Sequence, residues 1–477
     1  MEKNKKLIPG LPTGFEDRWG KKLYLKKELI KLIEENFIKY GFEPLETPSF
    51  EISSNIGSFL ADDDSNPMSD VFTFNDGEKN ITLRYDLSSP LARFVAQNNQ
   101  ELPLPYKRYA IQNVFRNEKA GNARYREFTQ ADCDIVGNVN PSLANAELCN
   151  LVVSTLLKCG LKKDQFTVFL SNRKIIQGFL KQINITDIKQ EIKTIRSIDK
   201  LSRVGLKGVS ELLQKGRKDK SGAFTEGANL SKDQVRKVIE FLETNIEIKN
   251  SNISNIAKAL TDLEKFLNNE LSQQGVEEIN NLLEILDLSE FKEQISTDFS
   301  ICRGLNYYDG FCLETNLNFN LKNSRGKEID IGSICSGGQY NKLISRFKGV
   351  DIPGTGMSIG VDRLLFTIMQ TEVQKIDQEK PTIICVMDEK YLKNYYEILK
   401  ILRDNNIPSE LFLNSKKNIG KQLDWANKKG CPVAIICGEN EFKNNKITLK
   451  YLLAQKGENN QITVPKEKLI NEIKKFI

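Results

Sequence analysis

Apolar residues recur at helical spacing between positions 21 and 40. Leu25, Leu29, Leu32, Ile33 and Phe37 line one face, and Gly41 stops the run. Phe42 to Phe50 then reads as an extended segment broken by Pro44 and Pro48. Between Asn80 and Gly137, strand-like runs such as Ile81–Tyr85 and Tyr106–Arg116 alternate with proline and polar turns, which predicts an antiparallel sheet. From 185 to 295 amphipathic helices replace the strands. Ser231-Lys232-Asp233-Gln234 forms a capping-box pattern before Val235, Val238, Ile239 and Leu242. Ile256, Ala259, Leu260, Leu263 and Leu267 make a second helical stripe of core type. Strands resume around 297–315 and 328–336. After a polar linker at 374–380 the pattern alternates cleanly: strand 382–386, helices 390–403 and 419–429, strands 433–437 and 447–452, and helix 467–476. The expected architecture is an α+β core with an antiparallel sheet, a helical insertion, and a small C-terminal α/β domain.

Composition narrows the class. The chain has 477 residues, 39% hydrophobic and 28% charged, which is ordinary for a globular protein of about three domains. No apolar run approaches the ~18 residues of a membrane helix. The basic start is interrupted by Pro9 and Pro12 and lacks the apolar core of a signal peptide. Nine cysteines without a CxxC pair read as reduced thiols, so a cytoplasmic location is expected. Histidine is absent, which excludes Ser-His-Asp and Cys-His catalysis and His-ligated zinc. Residues 381–477 hold seventeen Lys and Arg against eleven Asp and Glu, and so carry the entire net charge of +6. A basic terminal domain suits a polyanion such as nucleic acid, although a lysine-rich composition alone would give the same excess.

Four clusters carry candidate chemistry. The first is Arg84-Tyr85-Asp86-Leu87-Ser88 with Arg93. The second is Phe115-Arg116-Asn117-Glu118, a small-residue loop, and Arg124-Tyr125-Arg126-Glu127-Phe128-Thr129-Gln130-Ala131-Asp132-Cys133-Asp134. The third is Arg303-Gly304-Leu305-Asn306-Tyr307-Tyr308-Asp309-Gly310, and the fourth runs from Gly354 to Arg363. Two strands with an arginine on each arm of their loop can hold a bent polyphosphate, because guanidinium presents a planar fork to phosphate oxygens. Phe128 offers a face for a base. Gln130, Asp132 and Asp134 share one face of a strand and form a polar wall. Read singly, an arginine-rich hairpin is more often a solvated face, and the glycines of 354–360 more often mark tight packing. GTGMSIG fits neither a dinucleotide fingerprint nor a P-loop.

In this order the clusters resemble a class II aminoacyl-tRNA synthetase. Gly41–Pro48 is similar to motif 1, the dimer element. Phe115–Phe128 is similar to motif 2, and Gly354–Arg363 to motif 3. Arg303-Gly304-Leu305-Asn306-Tyr307-Tyr308 resembles the RGLDYY signature of histidyl-tRNA synthetases, and Gly337-Gly338-Gln339-Tyr340 resembles their GGRY. The run from Gly420 to Lys450 resembles the anticodon-binding domain of class IIa. Leu11–Phe15, Phe42–Pro48, Leu83–Leu87 and Gly216–Asp219 resemble the alphaproteobacterial subgroup. Asn306, Asp309, Gln339 and Asn341 depart from the family pattern, and Ala123 replaces a glycine.

The resemblance implies a class II synthetase fold, with a catalytic domain at 1–184 and 296–373, a helical insertion at 185–295, and an anticodon-binding domain at 381–477. It implies a histidine–tRNA ligase that forms histidyl-adenylate from L-histidine and ATP, with Mg²⁺, and passes the histidyl group to tRNA-His. It further implies a homodimer with no membrane association. Arg116 and Arg303 are the implied catalytic residues. Histidine is implied to meet Asp86, Leu87, Ser88, Arg116, Gln130, Asp134, Arg303, Tyr307, Tyr308 and Tyr340, with Asp134 and Tyr308 addressing the imidazole. ATP is implied to meet Arg116, Glu118, Arg124, Phe128 and Arg363. No protein metal-ligand set is implied. The alternative is the regulatory subunit of ATP phosphoribosyltransferase, a paralogue that usually lacks the anticodon-binding domain.

Overall fold

The computed structural model describes residues 8–476 except 57–70, 122, 219–221, 223, 250–259, 261–262, 264–265, 302–306, 324, 348–350, 372–379 and 454–459. The chain divides into two compact units, 1–374 and 375–477.

The first unit opens with α1 (Gly20–Lys39), whose Leu29, Ile33 and Phe37 are fully buried at the predicted spacing. The strand β1 (Glu43–Pro44) follows, then a small antiparallel sheet of Phe50–Ile52, Thr73–Asn75 and Asn80–Leu83. Next come α2 (Ser88–Asn98), β2 (Tyr106–Phe115), β3 (Glu127–Val136), α3 (Pro141–Lys158), β4 (Phe166–Asn172) and α4 (Arg173–Gln182). The helix-rich stretch holds α5 (Ile188–Ile198), α6 (Leu201–Leu213), α7 (Lys232–Lys249) and α8 (Glu270–Leu286). The unit closes with β5 (Ile295–Thr297), β6 (Phe311–Leu317), β7 (Cys335–Tyr340), β8 (Gly354–Gly360) and α9 (Val361–Ile368).

The eight labelled strands form one sheet in the order β1-β2-β3-β8-β7-β6-β4-β5. The six central strands pair antiparallel, as predicted, and the two edge pairs run parallel. The ten-residue strand β2 reproduces the predicted Tyr106–Arg116 run, and β3 is equally long. Glycine is required in β8 because its neighbours are large. A Cβ at Gly354 would lie 2.3 Å from the Tyr340 ring, and one at Gly356 would lie 2.1 Å from the Asp134 carboxylate.

Helix α2 is not visible in the 80–137 pattern, which reads as strand and turn. Its start is set by tertiary and capping effects: Asp86 Oδ1 accepts from the Ser89 amide at 3.1 Å, and Leu91, Ala92 and Val95 are wholly buried. The capping box at Ser231 does form, with the Ser231 amide donating to Gln234 and the Gln234 amide donating back to Ser231 Oγ. The hairpin of Gly216–Lys218 and Phe224–Glu226 interrupts the helices, because three-residue strands are too short to show a period. The stripe around Ile256 lies mostly outside the described residues.

The second unit contains β9 (Thr382–Val386), α10 (Leu392–Asp404), β10 (Ser409–Leu411), α11 (Ile419–Lys429), β11 (Val433–Cys437), β12 (Lys446–Tyr451), β13 (Gln461–Pro465) and α12 (Leu469–Ile473). Its sheet runs β10-β9-β11-β12-β13, with the first two pairings parallel and the last two antiparallel. Separate apolar clusters cover its two faces, one around Tyr395, Leu399 and Leu469, the other around Cys385, Phe412 and Ala426. The edge strands β10 and β13 were not foreseen.

Candidate active site

The middle of the large sheet carries a cleft of about 1230 Å³. The β2–β3 hairpin supplies one wall, the Tyr307–Leu313 stretch another, and β8 with the start of α9 the floor at one end. The period of two along β3 places Gln130, Asp132 and Asp134 on one face. Gln130 and Asp132 line the cleft. Asp134 lies deeper.

At the acidic end, Asp134 is 2% exposed and fully engaged. Tyr340 Oη donates to its Oδ1 at 2.5 Å, and its Oδ2 forms an ion pair with Arg108 Nη2 at 2.8 Å. Arg108 is itself completely buried and donates to the Leu87 carbonyl at 2.9 Å. Burial pushes the Asp134 carboxyl up, against the pull of Arg108 and Tyr340. Tyr307 Oη donates to Asp86 Oδ2 at 3.1 Å, and the Gln130 amide donates to Ser358 Oγ. Burial raises the Tyr307, Tyr308 and Tyr340 phenols well above their usual range, so all three are neutral donors.

The other end is cationic. Arg116, Arg124 and Arg363 all line the cleft, and none of the three forms an ion pair with a described carboxylate. Burial, then the charges of Arg124 and Arg116, push Arg363 down to about 10. Its Nη1 donates to the Ser333 carbonyl at 2.7 Å. The Arg116 guanidinium stacks over the Tyr85 ring at 4.3 Å and the Phe128 ring at 5.2 Å. Tyr85 Oη donates to Glu118 Oε1 at 3.2 Å. Three unneutralised guanidinium groups around one hollow make a site for a polyanion.

Of the residues named from sequence, Asp86, Ser88, Arg116, Glu118, Arg124, Gln130, Tyr307, Tyr308 and Arg363 converge on the cleft, and Phe128 borders its arginine end. Tyr340 and Asp134 stand behind the wall. Leu87 is 2% exposed in an apolar cluster with Ala110, Val114 and Phe128, and so supports Phe128 from below. Arg303 and Asn306 lie outside the described residues.

The described departures from the family pattern fall into place. Ala123 sits at φ 52°, the left-handed region that favours glycine. Asp309, Gln339 and Asn341 contact one another: Asn341 Nδ2 donates to Asp309 at 3.0 Å, and Gln339 Nε2 donates to Asn341 at 3.1 Å. Sequence reasoning assigned no role to Arg108, Ser358 or Glu314, and gave Asp132 only a place in the polar wall. Register would have flagged two of them, since Arg108 and Ser358 lie directly across from Asp134 and Asp132. Glu314 is a half-buried cleft carboxyl, pushed up to about 7 chiefly by desolvation. Asp362, beside Arg363, is clamped by Lys26 at 3.0 Å, Arg18 at 3.1 Å and the Thr129 amide at 2.7 Å, which fixes the start of α9 against β3.

Residues 14–364 match the family described as histidyl-tRNA synthetase, and residues 380–476 match an anticodon-binding domain. The histidine–tRNA ligase of Pelagibacter ubique is 70% identical, with both chains covered in full. That of Dinoroseobacter shibae is 38% identical over 93% of this chain and 89% of its own. Among solved structures, histidyl-tRNA synthetase from Nostoc sp. PCC 7120 superposes with a TM-score of 0.74 at 26% identity, covering 98% of this chain and 100% of that one. A Bacillus halodurans protein titled as an ATP phosphoribosyltransferase regulatory subunit/histidyl-tRNA synthetase shares the fold, with a TM-score of 0.67 at 20% identity over 88% of this chain and 97% of its own.

Proposed function

The chain belongs to the histidyl-tRNA synthetase family, and from that premise we propose how its cleft divides the work between two substrates. The protein is a histidine–tRNA ligase. It activates L-histidine with ATP and joins the histidyl group to the 3′ end of tRNA-His. The regulatory reading is disfavoured by the anticodon-binding domain and by Arg116 and Arg363 in place.

In the first step a carboxylate oxygen of histidine attacks the α-phosphorus of ATP, and the bond to the bridging oxygen of pyrophosphate breaks. Charge moves from the α-phosphate to the leaving group, so fixed cations supply most of the catalysis. Arg116 neutralises the α-phosphate and the attacking carboxylate. Arg124 and Arg363 take the remaining phosphate charge, and Arg363 with Phe128 encloses the adenine beside Glu118. Arg303 stands in the same signature and is assigned to the α-phosphate by family pattern. Asp86, Ser88 and Gln130 take the α-ammonium. Tyr307 and Tyr308 flank the imidazole, with Asp134 and Tyr340 beneath. In the second step the terminal ribose hydroxyl of the tRNA attacks the histidyl carbonyl and AMP leaves.

No three potential metal-ligating side chains converge among the described residues. The chain therefore suits Mg²⁺ carried on the ATP phosphates, with Glu314 as the cleft carboxylate that would meet it. When bound, the ion adds positive charge at the phosphates. Homodimerisation through the 41–48 region is supported by exposed Phe50, Ile52 and Phe74 on the adjoining small sheet. No described helix is long and apolar enough to cross a membrane, and a cytoplasmic location is the working assignment.

One observation carries this assignment of residues: a carboxylate end and a three-arginine end face each other across one cleft, matching an amino acid's ammonium and a triphosphate. The test is ATP–pyrophosphate exchange. It should require histidine, and Arg116→Ala should lower it about 10²–10³-fold with the fold intact. Near-normal exchange in that variant would remove Arg116 from the step.

A further inference from the structure

The returning arm of the long hairpin, residues 124–129, carries Arg124 and Phe128 to the arginine end of the cleft. The large sheet pairs this arm on one side only. β2 follows β3 out to Glu127, but β8 follows it only from Val136 to Gln130, where Gly360 hands over to α9. Other groups meet the arm beyond that point. The Asp362 carboxylate accepts the Thr129 amide at 2.7 Å. The segment ahead of α1 supplies two more contacts: Arg18 Nη2 donates to the Glu127 carbonyl at 3.0 Å, and the Gly14 carbonyl accepts the Arg126 amide at 2.8 Å. Gly14 has φ 87°, and a Cβ there would lie 2.7 Å from Arg126 Cγ, so glycine permits this close approach.

Arg18 reaches both sides of the arginine end. Its Nε stands 3.1 Å from Asp362 Oδ1, one position before Arg363. Its guanidinium lies 5.5 Å from the Tyr125 ring, one position after Arg124. Charge balance does not require it there, because Lys26 Nζ already sits on the two Asp362 oxygens at 3.0 and 3.1 Å. A second cation beside one carboxylate carries a cost. Burial lowers the Lys26 ammonium, and Arg18 lowers it further against the pull of Asp362. The Arg18 side chain is only 13% exposed, so solvent screens this repulsion little. What arginine adds over lysine is a planar fork, which can hold a carboxylate and a carbonyl at a fixed spacing.

Resting on the assignment of Arg124, Phe128 and Arg363 to ATP, we propose that Arg18 is a positioning residue for the nucleotide. It ties the returning arm to the start of α9, and so fixes the spacing at which Arg124, Phe128 and Arg363 grip one ATP. Arg18 does not line the cleft and touches neither substrate. The histidine end does not depend on it, because β2 and β8 flank β3 from Gln130 onward.

The experiment is ATP–pyrophosphate exchange by the full-length protein, with ATP and histidine varied in turn, and melting curves to check the fold. Arg363→Ala examines the nucleotide assignment by itself. It should raise the ATP KM and spare the histidine KM, and an unchanged ATP KM would overturn that assignment whatever Arg18 does. Given that result, Arg18→Ala should raise the ATP KM about 10-fold while kcat and the histidine KM stay within about two-fold of wild type, the pattern of lost nucleotide binding. Arg18→Lys keeps a cation beside Asp362 but cannot also reach the Glu127 carbonyl. It should melt as the wild type does and still show the raised ATP KM, and it decides alone if Arg18→Ala does not fold. An unchanged ATP KM in the folded variants overturns the proposal. So does an equal rise in both KM values, which a merely structural role would give. So does full recovery of the ATP KM in Arg18→Lys, which would mean that charge alone acts.

Discussion

Burial holds the Asp132 carboxyl near 7, whereas an aspartate in the unfolded chain titrates near 3.9. The folded protein therefore keeps that proton over a range where the unfolded chain has lost it. Stability from this group falls as pH rises from about 4 to about 7 and is level above. The groups facing it are Arg108 on β2, Asp134 on β3, Ser358 on β8, Asp86 before α2, Tyr307, Tyr308 and Cys335. Because several of these titrate too, the clean observable is a difference. Asp132→Ala should match or exceed the wild type in thermal stability, with the gap widening by about 2–4 °C between pH 5 and pH 8 without ligand. Parallel melting curves at both pH values would show that Asp132 is comfortably solvated.

At the scale of elements, the 309–310 turn and the end of β7 are joined by three residues that each depart from the family pattern. Asn341 donates to Asp309 through both its amide and its side chain, and Gln339 donates to Asn341. Returning one position alone strands its partners. Asp309→Thr should cost about 1–3 kcal/mol, and the effect of Asn341→Ala should be much smaller in that background than in the wild type. Chemical denaturation of the four proteins gives the coupling. Additive losses would mean the contacts contribute nothing jointly. The segment packs beside Tyr308, so the cluster also steadies the imidazole side of the cleft.

At the scale of the whole molecule, the two units have independent cores, and the second carries the entire net positive charge. Removing residues 381–477 should leave histidine-dependent pyrophosphate exchange in place, because the cleft residues all precede the cut. Transfer to tRNA should drop sharply. The residual charging should depend less steeply on salt, since fewer phosphate contacts release counterions. Both assays at two salt concentrations decide the matter. Equal charging with and without the unit would show that it does not hold tRNA. Loss of exchange together with the fold would show that it is a structural cap.

The sequence determined the order of elements wherever a long amphipathic period existed: α1, the strands of the central sheet, and the alternation after 381. It also determined the cleft chemistry, because arginines and carboxylates at fixed spacing on two long strands must emerge on common faces, and the absence of histidine limited what they could do. Local pattern could not register short elements such as the 216–226 hairpin, or α2, whose start depends on Asp86 and whose face is buried by distant residues. Depth also escaped it. Asp132 and Asp134 are equivalent by period, yet one lines the cleft and the other is sealed behind Tyr340 and Arg108. Which carboxylate meets the substrate side depends on what β2, β7 and β8 place across from each, and only the assembled sheet brings those partners together.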